Sequence, residues 1–217
     1  MHKKICKALA VANFKRDLAG AESGNAQMQF FVGMRYERGW GVDRDDAQAA
    51  KWWALAAAAG NTDAQNNLAD MFDKGVGVPQ DRVKAAALFR QAAEAGNTSA
   101  QVNLGTMYVR GEGVARDMRQ AVHWFRLAAE GGNAMGRYNM GHAHEEGLGG
   151  VAEDKVEAAR YFRLAADAGV VNAQFRLGLY YANGVGVVRD DAEGIRWMQL
   201  AADAGLPAAR ALLSGAK

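Results

Sequence analysis

Proline is nearly absent from this chain, with two residues in 217, and cysteine is scarcer still, with Cys6 alone. A single cysteine closes no disulfide within the chain, which excludes a small scaffold held by cross-links. It also fits a reducing compartment, so the expected location is the cytoplasm, with the periplasm as the alternative. Long apolar runs are missing as well. None approaches the ~20 residues that a membrane-spanning helix needs. The opening MHKKICKALAVANF has a basic start, but Lys7 breaks its apolar stretch and Lys15, Arg16 and Asp17 follow closely. It reads as a helix rather than an export signal. Net charge is small, at +2. Five of the 26 basic residues fall within residues 1–17 beside one acid, leaving 21 basic and 23 acidic residues in the rest. A near-neutral body lacks the broad basic footprint of nucleic-acid binding.

What the chain does have is glycine in a pattern. GWGVDRD stands at 39–45, GVGVPQD at 75–81, GEGVARD at 111–117 and GVGVVRD at 184–190, with a stretched GLGGVAED at 147–154. These loops follow no strand and do not extend to G-x-G-x-x-G, so they do not read as phosphate cradles. Five copies are an architecture. Their first glycines are spaced by 36, 36, 36 and 37 residues. A period in this range signals a helical solenoid.

Each unit divides into two helices, A and B. In residues 97–132, helix A carries Ala100, Leu104 and Tyr108 on one face. Gly105 leaves room for a neighbouring helix, and Gly111–Val114 make the turn. Helix B starts at Asp117, which caps the free amides of the first turn. Asp45, Asp81, Asp154 and Asp190 recur at that place, so the row of acids is a row of caps. Large residues follow at Trp52–Trp53, Leu88–Phe89, Trp124–Phe125, Tyr161–Phe162 and Trp197–Met198. An alanine pair comes next in every copy, as at Ala56–Ala57 and Ala128–Ala129. Bulky side chains fill the space between units and alanines permit close approach. Gly60, Gly96, Gly132, Gly169 and Gly205 close helix B, and Asn25, Asn61, Asn97 and Asn133 open helix A.

The pattern A-x-x-x-L-G-x-x-Y-x-x-G-x-G-V-x-x-D, followed by an aromatic and an alanine pair, resembles the Sel-1-like repeat family. Ala100, Leu104, Gly105, Tyr108, Gly111, Gly113, Val114, Asp117, Trp124, Ala128 and Ala129 carry the resemblance. Tyr108 is matched by Phe72 and by His144 in other units. The resemblance implies an all-α, right-handed α-α superhelix of five 36-residue helix-turn-helix repeats, at 25–60, 61–96, 97–132, 133–169 and 170–205. Residues 1–24 are expected to form an N-terminal capping helix and residues 206–217 a partial repeat. The apolar end of that last helix, with Ala208, Ala211, Leu212 and Leu213, is a candidate homodimer contact.

The resemblance also implies a scaffold that gathers proteins or peptides, with no cofactor and no catalytic residue. By analogy with tetratricopeptide solenoids, helix A lines a concave groove. The groove positions are those that vary between units while the packing positions repeat. They are Phe30, Met34 and Glu37; Asp63, Asn66, Asp70 and Asp73; Val102, Thr106 and Arg110; Tyr138, His142 and Glu145; and Phe175, Leu179 and Asn183. Apolar anchors among polar neighbours suit an interface, and Asn66 and Asn183 suit a peptide backbone.

Catalytic readings are thin. HAHEEG offers His142 and Glu146 one helical turn apart, fewer ligands than a structural metal site needs. Trp40, inside a glycine turn, is a further contact candidate. A cysteine-rich branch of the family is linked to β-lactamase-type or penicillin-binding activity. That makes a cell-envelope enzyme the alternative function, but its paired cysteines are missing here.

Overall fold

The computed structural model describes residues 2–215, with side chains from residue 9 onward. Cys6 lies outside the described side chains. The chain divides into two compact units, Met1–Ala115 and Arg116–Lys217. The first holds α1 (His2–Glu22), α2 (Ala26–Arg38), α3 (Asp46–Ala58), α4 (Thr62–Lys74), α5 (Arg82–Glu94) and α6 (Thr98–Arg110). The second holds α7 (Met118–Glu130), α8 (Ala134–Glu146), α9 (Lys155–Asp167), α10 (Val171–Asn183), α11 (Asp191–Asp203) and α12 (Pro207–Gly215). Both are all-α, built from repeated helix-turn-helix pairs stacked as a solenoid.

Caps set the helix ends. Asn25, Asn61, Asn97 and Asn133 each accept an amide of the first turn of the helix that follows. Val170 stands at the equivalent place before α10 and supplies no side-chain cap. Asp45, Asp81, Asp117, Asp154 and Asp190 accept first-turn amides of α3, α5, α7, α9 and α11 through their side chains. Most of these aspartates act twice. The Asp81 amide also donates back to the Phe72 carbonyl at 2.8 Å, and Asp190 donates to Tyr181 at 3.0 Å. One residue thus closes the hairpin and starts the second helix. At the far end of α3 the amides of Gly60 and Asn61 donate to Ala57 and Ala56, both at 3.0 Å. That crossed pair needs a left-handed residue, and Gly60 supplies it with φ of 85°.

The two glycines of each turn have different tasks. Gly111 ends α6 in the left-handed region, with φ of 71°. Gly113 is also left-handed, and a Cβ there would collide with the carbonyl of Arg82 in the preceding pair. Gly77 meets Asp46, Gly149 meets Met118 and Gly186 meets Lys155 in the same way. Loop and neighbouring helix therefore touch backbone to backbone.

The core follows the large-and-small pattern. Trp53, almost fully buried, packs among Ala49, Ala50, Ala56, Ala57, Ala64, Leu68 and Met71. Phe162 packs on Ala158, Ala159 and Tyr180 in the second unit. Helix-A glycines fit under these rings: a Cβ at Gly33 would strike Trp53, and one at Gly141 would strike Phe162. Tyr108, on the apolar face of helix A, is only half-buried; its hydroxyl accepts from Arg90 at 2.7 Å. The fully buried position is the one before it, at Met71, Met107, Ala143 and Tyr180. The aromatic therefore bridges core and solvent, which suits a ring with a polar tip.

Candidate functional site

In the first unit, α2, α4 and α6 bring their variable faces together around a cleft of about 330 Å³. Glu37, Asn66 and Asp70 line it with Asn67 and Asn103. Asn103 donates from Nδ2 to Asn66 Oδ1 at 3.0 Å, and Asn66 donates from Nδ2 to Asn67 Oδ1 at 3.3 Å. Three side-chain amides thus form a chain across two helices. Asp70 holds Lys74 at 2.7 Å and Asp63 accepts from Asn97 at 2.8 Å. Asp73 and Arg110 stand at the edge, 3.5 Å from Arg82 and 3.6 Å from Glu112.

Other residues of the variable set are held partly by the core or by their own helix. Phe30 and Met34 pack on the Trp53 cluster, and the Phe30 carbonyl accepts the indole N–H at 3.1 Å. Thr106 spends its hydroxyl on the Val102 carbonyl one turn back, at 2.9 Å.

In the second unit the variable faces of α8 and α10 meet at Glu145. Its Oε1 accepts from the Tyr180 hydroxyl at 3.0 Å and lies 3.4 Å from the Arg176 guanidinium. Its Oε2 lies 3.0 Å from His142 Nδ1 but outside hydrogen-bonding geometry, so this buried oxygen has no donor. Tyr138 stands edge-on to His142 with ring centres 4.7 Å apart, and it also contacts Phe162. Phe175 packs on the Ala201–Ala202–Ala209 cluster beneath α12. Leu179 is half-buried, and its carbonyl takes the Asn183 amide at 2.8 Å, so that asparagine serves its own helix. On α12, Ala209 is buried while Leu212 is about half exposed.

Residues 26–61, 62–97, 98–133, 134–170 and 171–206 each match the Sel1 repeat. The chain belongs to the Sel1 repeat family. Solved structures agree with the repeat assignment. The chain is 35% identical, with a TM-score of 0.82 over 90% of its length, to a protective antigen of uropathogenic Escherichia coli displaying an SLR fold. It spans 41% of that antigen's length. A Sel1 repeat protein from Oxalobacter formigenes is 28% identical with a TM-score of 0.82, covering 97% of this chain and 87% of its own. A Sel1 repeat protein from Klebsiella pneumoniae, 21% identical with a TM-score of 0.59 over 93% of this chain and 97% of its own, shares the fold. Comparison with curated proteins returns no match. Among the described residues no helix is long and apolar enough to cross a membrane.

One set of residues within the Sel1 repeats escaped the sequence reading. Gln29, Gln65, Gln101 and Gln174 each donate from Nε2 to a carbonyl eight residues back, on Ala21, Ala57, Ala93 and Ala166. Arg210 does this to Ala202 with its Nε. Each tie runs from helix A to the last turn of the helix before it, adding a second donor to a carbonyl that already accepts from the closing glycine, as Ala57 does from Gly60. The signal was present: Ala-Gln recurs at residues 28–29 only as Met-Gln but stands intact at 64–65, 100–101 and 173–174.

The sequence offers two metal-ligating side chains on this turn, His142 and Glu146, and in the fold Glu145 makes a third. Donor atoms of His142, Glu145 and Glu146 lie within 4.8 Å of one another. Arg176 already supplies positive charge to the central carboxylate, and three ligands on one helix fall short of a closed structural site. Burial sets the titration of this turn. It pushes His142 below the usual 6.5, outweighing the pull of Glu145 and Glu146 in the other direction. The folded protein thus binds this proton less tightly than the unfolded chain. The stability it contributes is fully present above pH 6.5 and declines as pH falls through the lower folded value. A proton-NMR titration is expected to place the His142 midpoint below 6.5. A midpoint above it would show that the carboxylates dominate.

Proposed function

We propose that this Sel1 repeat protein is a non-catalytic adaptor holding an extended segment of a partner protein along its helix-A faces. The observation carrying this reading is the amide chain of Asn103, Asn66 and Asn67 in an open cleft. Each asparagine amide presents a donor and an acceptor, as a peptide group does. Outer-end groups, the Asn67 amide nitrogen and the Asn103 oxygen, are set to bond a backbone without reading its side chains. Variation of this face between units, beside recurring packing positions, supports the same reading. The five 36-residue repeats and their right-handed winding are part of this proposal.

The test is affinity capture from source-cell lysate with wild type and with Asn66→Ala/Asn103→Ala, both shown folded by circular dichroism. A partner held by wild type and weakened about tenfold by the pair is expected, since one or two backbone bonds are worth that much. Equal retention by both proteins would remove the ladder from the interface.

A further inference from the structure

A second cleft in the first unit, between α1 and α2, has a different chemistry. It measures about 310 Å³ and is lined by Met28, Phe31, Met34 and Trp40, with Arg16, Asp17 and Arg35. Phe31 is 38% exposed and Trp40 49% exposed, although both are large apolar residues with packing partners at hand. At the position of Phe31, the next two repeats carry Asn67 and Asn103. The amide row therefore gives way here to an apolar well. Methionine and aromatic walls adapt to a single bulky side chain.

Its rim is basic. Asp17, buried at 5% exposure, is already engaged. Arg35 donates to its Oδ2 from Nε at 2.8 Å and from Nη2 at 2.6 Å, and Arg16 donates to its Oδ1 at 3.1 and 3.2 Å. Arg35 also donates to the Trp40 carbonyl at 3.3 Å, which ties the loop to the wall. Arg38 sits over the Trp40 ring at 4.6 Å, with Glu37 3.5 Å away. Three guanidiniums thus stand beside two carboxylates around the well. The excess is local, since the chain beyond residue 17 is slightly acidic overall.

From this we infer that the Met28–Phe31–Met34–Trp40 well takes one bulky apolar side chain of an acidic peptide segment, whose flanking carboxylates meet Arg16 and Arg38. The inference rests on the adaptor reading and names the partner's chemistry. The well is concave and sized for a side chain, which favours a peptide over a lipid surface. Charge at the rim sets which peptides approach, and the apolar anchor sets which stay.

The test is selection of a displayed random-decapeptide library on the full chain, with affinities of selected peptides measured by fluorescence anisotropy. The expected consensus is one Leu, Phe or Met flanked by Asp or Glu. Binding should fall at least ~10-fold with Phe31→Ser/Trp40→Ser and weaken with Arg38→Glu and with added salt. Circular dichroism of each variant separates lost binding from lost fold, and both replaced apolar side chains are partly exposed. Selected peptides that lack the acidic flanks, or bind the pocket variant as tightly as wild type, overturn the inference. If those peptides are lost with Asn66→Ala/Asn103→Ala, the adaptor reading stands without it. A library that yields no binder overturns both. Trp40-dependent sedimentation with phosphatidylserine vesicles, in place of peptide binding, would assign the well to a membrane surface and overturn it too.

Discussion

Trp53→Ala is expected to destabilise the first unit by about 3–5 kcal/mol, the range for deleting a large buried aromatic. Trp53 is 1% exposed and fills the space among five alanines, Leu68 and Met71. It lies directly over Gly33 and donates to the Phe30 carbonyl. Alanines have no reach to refill the void, so the cavity persists rather than collapses. Stacked repeats do not always unfold as one transition. The measurement is therefore amide hydrogen exchange together with urea unfolding. Protection should fall most in α2–α5, and the unfolding midpoint should drop. An unchanged midpoint would mean that the neighbouring helices close the gap.

The second large effect separates two reasons for keeping a glycine. Gly96 and Gly113 both have positive φ, at 90° and 69°. Around Gly96 nothing lies within 4 Å of an added Cβ, whereas at Gly113 that atom would run into the Arg82 carbonyl. Gly96→Ala should therefore show conformational strain alone, about 1–2 kcal/mol. Gly113→Ala adds an overpacking cost of about 1–3 kcal/mol, because a backbone cannot rotate aside as a side chain can. Urea midpoints of the two variants, measured side by side, make the comparison. Equal losses would show that φ alone selects both glycines.

The glycine and aspartate rhythm made the helix-turn-helix stack legible because those residues answer to local rules. Left-handed turns need glycine, and free helix amides need a short acceptor, wherever they stand. The variable faces were harder to read for a geometric reason. A helix has no sharp border between its buried and open sides, so Phe30 and Phe175 lean onto core clusters while the neighbouring Phe31 faces out. The meeting of Glu145 with Tyr180, 35 residues away, depends on how two helices stack, and spacing alone does not fix it. Asn66 was picked out as a backbone ligand, but its bond to Asn103 came only with the stacking. The glutamine ties were hidden differently. Their partners are backbone carbonyls, which leave no trace in residue identity.

Those glutamine ties make the stack directional. Gln65 reinforces the end of α3, and Gln101 the end of α5, so in these ties the later residue braces the earlier helix. A chain emerging amino-terminus first lacks this second bond at the end of its newest hairpin until the following helix appears. Cutting the protein just before α4, α6, α10 or α12 therefore also removes a bond from the helix left behind. The repeats of this chain are in this sense not interchangeable beads, since the final turn of most of them is held partly by the next.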